Sequence, residues 1–153
     1  MATRFSVRRL RHSDLDRILQ IEHASFGKDA YDRKLFAEYF RKCGDLFLVA
    51  EDSRSICGYM VTCIRGQGDS GRAELVSVAV DPAARGKGAA SALMQSTLRR
   101  LRLRGTKRLG LMVRETNQVA RAFYEKYGFQ KGRTVRGYYE DGGDGRLMSK
   151  VLD

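Results

Sequence analysis

The chain has 153 residues, enough for one domain that buries roughly two-thirds of the surface its unfolded form would expose. Its 29 Lys and Arg against 18 Asp and Glu give a net charge of +11, which suits polyanionic partners such as nucleotide phosphates or RNA. No apolar run approaches membrane-spanning length and the opening residues lack a signal-peptide stretch, so no membrane partner is expected and the expected compartment is the cytoplasm.

Three cysteines, Cys43, Cys57 and Cys63, are an odd number without C-x-x-C spacing or a nearby histidine. They read as reduced core thiols, with neither a disulfide framework nor a zinc site, and no metal is expected.

In chain order, Phe5 and Val7 alternate with polar neighbours and predict a strand over residues 4–9. The run from Ser13 to Asp16 resembles a capping box opening a helix buried through Leu15, Ile18 and Leu19. A second helix is predicted from Asp32, with Leu35, Phe36, Tyr39 and Phe40 at helical spacing, and the linker from Phe26 to Tyr31 is placed to border a site. Residues 46–51 and 56–64 are rich in β-formers and read as a hairpin, and a turn over 65–71 leads into a third neighbouring antiparallel strand over 73–80.

After a glycine-bearing loop, Ala90, Leu93, Met94, Thr97, Leu98 and Leu101 fall on one helical stripe, with Arg99, Arg100, Arg102 and Arg104 opposite. Residues 108–113 read as a strand parallel to 73–80, because a helix joins the two. A shorter helix over 117–127 stops at Gly128, and strands over 129–135 and 147–151 close the chain around a loop over 138–145. The predicted order is β-α-α-β-β-β-α-β-α-β-β in a single domain, residues 1–153, of the α/β (α+β) class.

The most informative stretch runs from Glu74 to Ala90. A strand, a tight loop holding Gly86 and Gly88, and a helix start together present backbone N–H groups and a positive dipole end suited to phosphate. Arg85-x-x-Gly88-x-Ala90 resembles the Q/R-x-x-G-x-G/A signature of the GNAT superfamily of acetyl-CoA-dependent N-acetyltransferases. Val113 to Asn117, Ala120, Phe123 to Phe129 and Arg136 to Tyr139 are similar to the bacterial and archaeal branch that acetylates protein N-termini, the ribosomal-protein alanine N-acetyltransferases. The specific motifs cover residues 72–145; residues 1–71 match in layout and hydrophobic pattern.

The resemblance implies a mixed, mostly antiparallel sheet of about seven strands, splayed between the fourth and fifth and flanked by about four helices. It implies acetyl-CoA as cofactor. Its pyrophosphate would lie on the amides of Gly86, Lys87, Gly88, Ala89, Ala90 and Ser91 beside Arg85, where small residues allow close approach. Its pantetheine arm would pair with Val78, Ala79 and Val80 where a bulge splays the strands. Asn117 and Tyr124 occupy positions that contact the arm and its sulfur, which makes the Tyr124 hydroxyl the candidate acid for the leaving thiolate.

The branch often carries a glutamate two residues before Arg114, and this chain has Met112 there. Glu74 is the alternative base, by similarity to a glutamate on the fourth strand of GNAT lysine acetyltransferases. Period-two alternation sets Glu74 on one face with Val76, Val78 and Val80. Tyr31, Tyr138 and Tyr139 are candidate acceptor-binding residues, and Glu140, Asp141 and Asp144 would draw a cationic amine or else form a solvated turn.

The expected activity is acetyl transfer to a primary amine, foremost a protein N-terminal α-amine, by direct attack with both substrates bound. A small amine or a lysine side chain is the alternative acceptor. Another class of function stays open: a catalytically weak module whose basic face, with Lys107 and Arg108 added, associates with RNA or ribosomes. A monomer or homodimer is expected.

Overall fold

A computed structural model describes residues 5–66 and 71–153. Residue 4 of the predicted first strand and residues 67–70 of the predicted turn lie outside the described residues. Among the described residues, seven strands and four α-helices follow the predicted order. They are β1 (Ser6–Arg9), α1 (Leu15–Phe26), α2 (Arg33–Cys43), β2 (Phe47–Glu51), β3 (Ile56–Arg65), β4 (Arg72–Val80), α3 (Ala89–Leu103), β5 (Arg108–Arg114), α4 (Gln118–Lys126), β6 (Gln130–Val135) and β7 (Gly145–Val151).

Local chemistry sets the helix starts. The Asp32 carboxylate accepts the Leu35 N–H at 2.9 Å and opens α2, and the Asn117 side chain accepts the Ala120 N–H at 3.1 Å and opens α4. The first helix corrects the predicted capping box at Ser13. Asp14 turns back to accept the Arg11 N–H at 2.7 Å and pairs with Arg8 at 2.9 Å, so residues 12–14 make a 3-10 turn and the α-helix begins at Leu15.

The strands form one sheet in the order β1-β2-β3-β4-β5-β7-β6, with β4 and β5 parallel and every other neighbour antiparallel. One face packs Leu93, Met94, Leu98 and Leu101 of α3 and Tyr124 of α4 against Met60, Leu109, Leu111 and Met148. The opposite face packs Leu15, Ile18 and Ile21 of α1 and Phe36 of α2 against Phe47, Val49, Tyr59 and Val61. With helices on both sides, β3 is buried from Ile56 to Cys63.

Two irregularities of β4 position everything that follows. Its ladder to β5 covers only Arg72, Ala73 and Glu74, opposite Arg108, Leu109 and Gly110, while both strands run on past that point. Against β3 the register jumps from Leu75–Thr62 to Ser77–Val61, which leaves Val76 as an inserted residue.

That bulge corrects the predicted shared face of Glu74, Val76, Val78 and Val80. Val76 packs in the α1/α2 layer, whereas Val78 and Val80 pack in the α3 layer. One inserted residue flips the alternation for the rest of the strand.

The cysteine reading is also corrected. Cys43, the last residue of α2, and Cys63 of β3 form a disulfide across a separation of 20 residues, so only Cys57 is a free thiol among the described residues. The spacing hid the pair because its partners come from a helix end and a strand brought together by the α1/α2 layer. No described helix is long and apolar enough to cross a membrane.

Candidate active site

The loop from β4 into α3 is built by glycine. Gly86 and Gly88 take φ of 77° and 100°, and a Cβ placed on either would meet nothing within 4 Å. Gly88 in the left-handed region begins α3 without a side-chain cap, and no acidic residue stands in the helix's first turn. The N–H groups of Ala89, Ala90 and Ser91 are therefore the uncapped donors of a 15-residue helix, and Lys87 is exposed beside them. Such an end holds an anion.

Val78, Ala79 and Val80 lie on the stretch of β4 that has no described ladder pair on its β5 side. Their pairing with Met60, Tyr59 and Gly58 of β3 keeps that stretch extended. Arg85 folds back over the strand end, donating from Nε to the Val80 carbonyl at 3.2 Å and from Nη2 to Ser25 Oγ at 3.2 Å. The arginine thereby ties the loop to β4 and α1.

Across the splay, β5 leads into α4 through Glu115. Its carboxylate receives Arg146 at 2.7 and 2.8 Å and Thr134 at 3.2 Å, and these bonds, led by Arg146, hold its pKa down to about 2. The clamp joins the ends of β5, β6 and β7 and fixes where α4 starts. Asn117 is exposed and caps that helix, so the predicted cofactor contact also has a structural duty.

Tyr124 is 7% exposed and stacks against Phe123 and Phe129. Burial first, then the nearby Tyr139 phenol, pushes its pKa up to about 12. It carries its proton throughout the neutral range.

On the other side of the sheet, Tyr31 between α1 and α2 packs against Phe36 and Tyr39. Its pKa is pushed up to about 12 by burial, then by Tyr39, Glu22, Tyr138 and Tyr139. Tyr138 and Tyr139 meet edge-on at 5.0 Å, and the Arg114 guanidinium lies 4.1 Å from the centre of the Tyr139 ring. Tyr138 and Tyr139 thus meet directly, while Tyr31 and Tyr124 each feel the Tyr139 phenol electrostatically.

The acidic residues of that loop are largely engaged at home. Asp141 accepts the Gly143 N–H at 2.9 Å and pairs with Arg114 at 3.1 Å, and Asp144 accepts the Gly137 N–H at 3.0 Å. Glu140 is exposed. Glu74 sits at the last β4–β5 pair, half-exposed, and is bound by Arg65 at 2.8 and 2.9 Å. Met112 packs its thioether where a side chain on Gly145 would stand.

Sequence reasoning missed a buried polar group. Glu22 of α1 is 1% exposed and joins Tyr59 of β3, the Tyr31 N–H and, through Tyr59, Ser77 of β4. The signal was present: Glu22 lies four residues after Ile18 and seven after Leu15, on the helix's apolar stripe.

Comparison with known proteins agrees with this geometry. A family model described as the acetyltransferase (GNAT) family matches residues 13–129. The chain is 31% identical to an N-alpha-acetyltransferase of Saccharolobus solfataricus over 97% of its own length and 93% of the relative's. Among solved structures, Ard1 from Thermoplasma volcanium superposes with a TM-score of 0.90 at 26% identity, covering 97% of this chain and 98% of the other. The ribosomal-protein-S18-alanine N-acetyltransferase of Escherichia coli gives 0.85 at 26% identity, covering 98% and 95%. With its splayed parallel pair, open glycine loop and matched length, the chain belongs to the GNAT family of acetyltransferases.

Proposed function

We propose that this chain transfers the acetyl group of acetyl-CoA to the α-amine of a protein N-terminus. One observation carries the reading: the stretch of β4 with no described β5 partner runs through the open loop of Gly86 and Gly88 straight into the uncapped start of α3. When bound, acetyl-CoA supplies an acetyl thioester together with a diphosphate.

The residues present fit such a group, because the loop is open above Gly86 and Gly88 and no acidic residue stands in the first turn of α3. Gly86, Lys87, Gly88, Ala89, Ala90 and Ser91 would hold the diphosphate through backbone N–H groups, with Arg85 adding positive charge. Val78, Ala79 and Val80 would bind the arm's amides in place of a strand neighbour, and one of their N–H groups would polarise the carbonyl to be attacked. Asn117 would border the arm. Tyr124, protonated at neutral pH, would give its proton at the sulfur.

Tyr31, Tyr138 and Tyr139 would orient the acceptor's first residues. An α-amine has a reference pKa near 8, against about 10.4 for a lysine side chain, so it tolerates Met112 where a carboxylate base is otherwise common. Glu74 would have to leave Arg65 before it accepted a proton, which suits it to a charge lining the groove.

Acetyl-CoA-dependent release of free thiol over paired peptides tests this. Peptides beginning with Ala or Ser should drive release when their N-terminus is free and not when it is blocked. Equal release from blocked, lysine-containing peptides would contradict the assignment.

A further inference from the structure

Three polar side chains from three elements meet on the α1/α2 side of the splay. Glu22 accepts the Tyr59 hydroxyl on Oε1 and the Tyr31 N–H on Oε2 at 3.0 Å, while the Tyr59 hydroxyl stands 2.8 Å from Ser77 Oγ. The polarity of this chain follows from the groups themselves. An ionised carboxylate only accepts, so the single proton of Tyr59 points at Glu22 and the serine must donate to Tyr59. Ser77 then keeps a lone pair with no proton of its own to offer.

Position gives that lone pair a use. Ser77 is partly exposed, follows the Val76 bulge, and lies beyond the last β4–β5 pair, on the face that carries Tyr31. It stands on the stretch of β4 that has no described β5 partner, and Glu22 anchors the Tyr31 backbone.

We propose that Ser77, Tyr59 and Glu22 form a relay that takes the proton of the acceptor ammonium. As the ammonium N–H bond breaks, its proton passes to Ser77 Oγ, the serine proton to the Tyr59 oxygen, and the tyrosine proton to the Glu22 carboxylate. A neutral amine and a neutral carboxylic acid remain, and no other reactant is needed. Ser77 alone touches the substrate; Tyr59 and Glu22 act through it. The inference rests on the N-terminal acetyltransferase reading and supplies the proton acceptor that Met112 cannot be.

The surroundings favour a carboxylate that takes protons readily. Burial raises the pKa of Glu22, opposed by the Tyr31 N–H, the Tyr59 hydroxyl and His23 of the same helix; the Tyr31 and Tyr59 phenols are the other titratable groups facing it. Below that raised value Glu22 donates instead of accepting, the polarity reverses, and the relay closes. Relay-dependent turnover therefore falls as pH falls.

The test is kcat/KM for a free N-terminal peptide as a function of pH, in wild type, Ser77→Ala, Tyr59→Phe and Glu22→Gln, with CoA affinity measured by calorimetry in each. Each variant should bind CoA as wild type does and lose on the order of 10-fold near pH 7, where an α-amine of pKa near 8 is mostly protonated. That deficit should close above about pH 8, where the free amine has no proton to give. A side chain that only shapes the site would cost the same factor at every pH.

Ser77→Ala is partly exposed and nearly isosteric, so it decides the matter even if a buried variant fails to fold. A wild-type profile in Ser77→Ala, or a deficit independent of pH, overturns the relay. A wild type that binds CoA yet acetylates no N-terminal peptide overturns the N-terminal reading, and the relay with it.

Discussion

On the proposed reading Tyr124 would serve two purposes with different atoms. Its ring belongs to the core between Phe123 and Phe129, while its hydroxyl, held neutral by burial, is the donor assigned to the leaving sulfur. Tyr124→Phe keeps the ring and removes only the donor. It should lower kcat on the order of 100-fold with KM nearly unchanged, as steady-state kinetics would show. Unchanged turnover would reduce Tyr124 to a packing residue. With a pKa of about 12 the phenol should add no basic limb to the rate profile below pH 10. At this scale the sequence exposed the motif residues and hid the relay. Glycines and Tyr124 stand in a recognisable local pattern, whereas Glu22, Tyr59 and Ser77 are scattered over three elements and meet only after the sheet forms.

Among the elements, those with a strong period were readable and the irregular one was not. The α3 stripe lies buried from Leu93 on as its spacing required, because Leu93, Met94, Thr97, Leu98 and Leu101 have one sheet face to cover, while at the helix start Ala89 is buried and the predicted Ala90 only partly so. Alternation on β4 failed at Val76, since a bulge is set by pairing with β3 and leaves no local mark in the sequence. The Cys43–Cys63 bond pins the end of α2 to β3, behind the tyrosines of the acceptor cluster. Closing a loop of this length stabilises by about 3 kcal/mol in the chain-entropy view, equivalent at this chain size to roughly 6–12 °C in Tm. Thermal unfolding with and without a dithiol reductant checks it. A melting point unmoved by reduction, or by Cys43→Ser, would show that the bond contributes nothing to stability.

For the molecule as a whole, the helix between β4 and β5 gave the expected parallel pair and the hairpins gave antiparallel ones, whereas the insertion of β7 between β5 and β6 follows from neither rule. The position of the acceptor cluster was beyond that logic. It depends on the α1–α2 segment and the β6–β7 loop, distant in sequence, coming near enough for the Tyr138 and Tyr139 phenols to add to the rise in the Tyr31 pKa. The acceptor is therefore the most exacting claim, and one measurement reaches it directly. A peptide bearing both a free α-amine and a lysine, incubated with the protein and acetyl-CoA and sequenced by tandem mass spectrometry, should carry the new acetyl group on its first residue with the lysine unmodified. Acetyl found on the lysine, with the α-amine left free, would contradict the account.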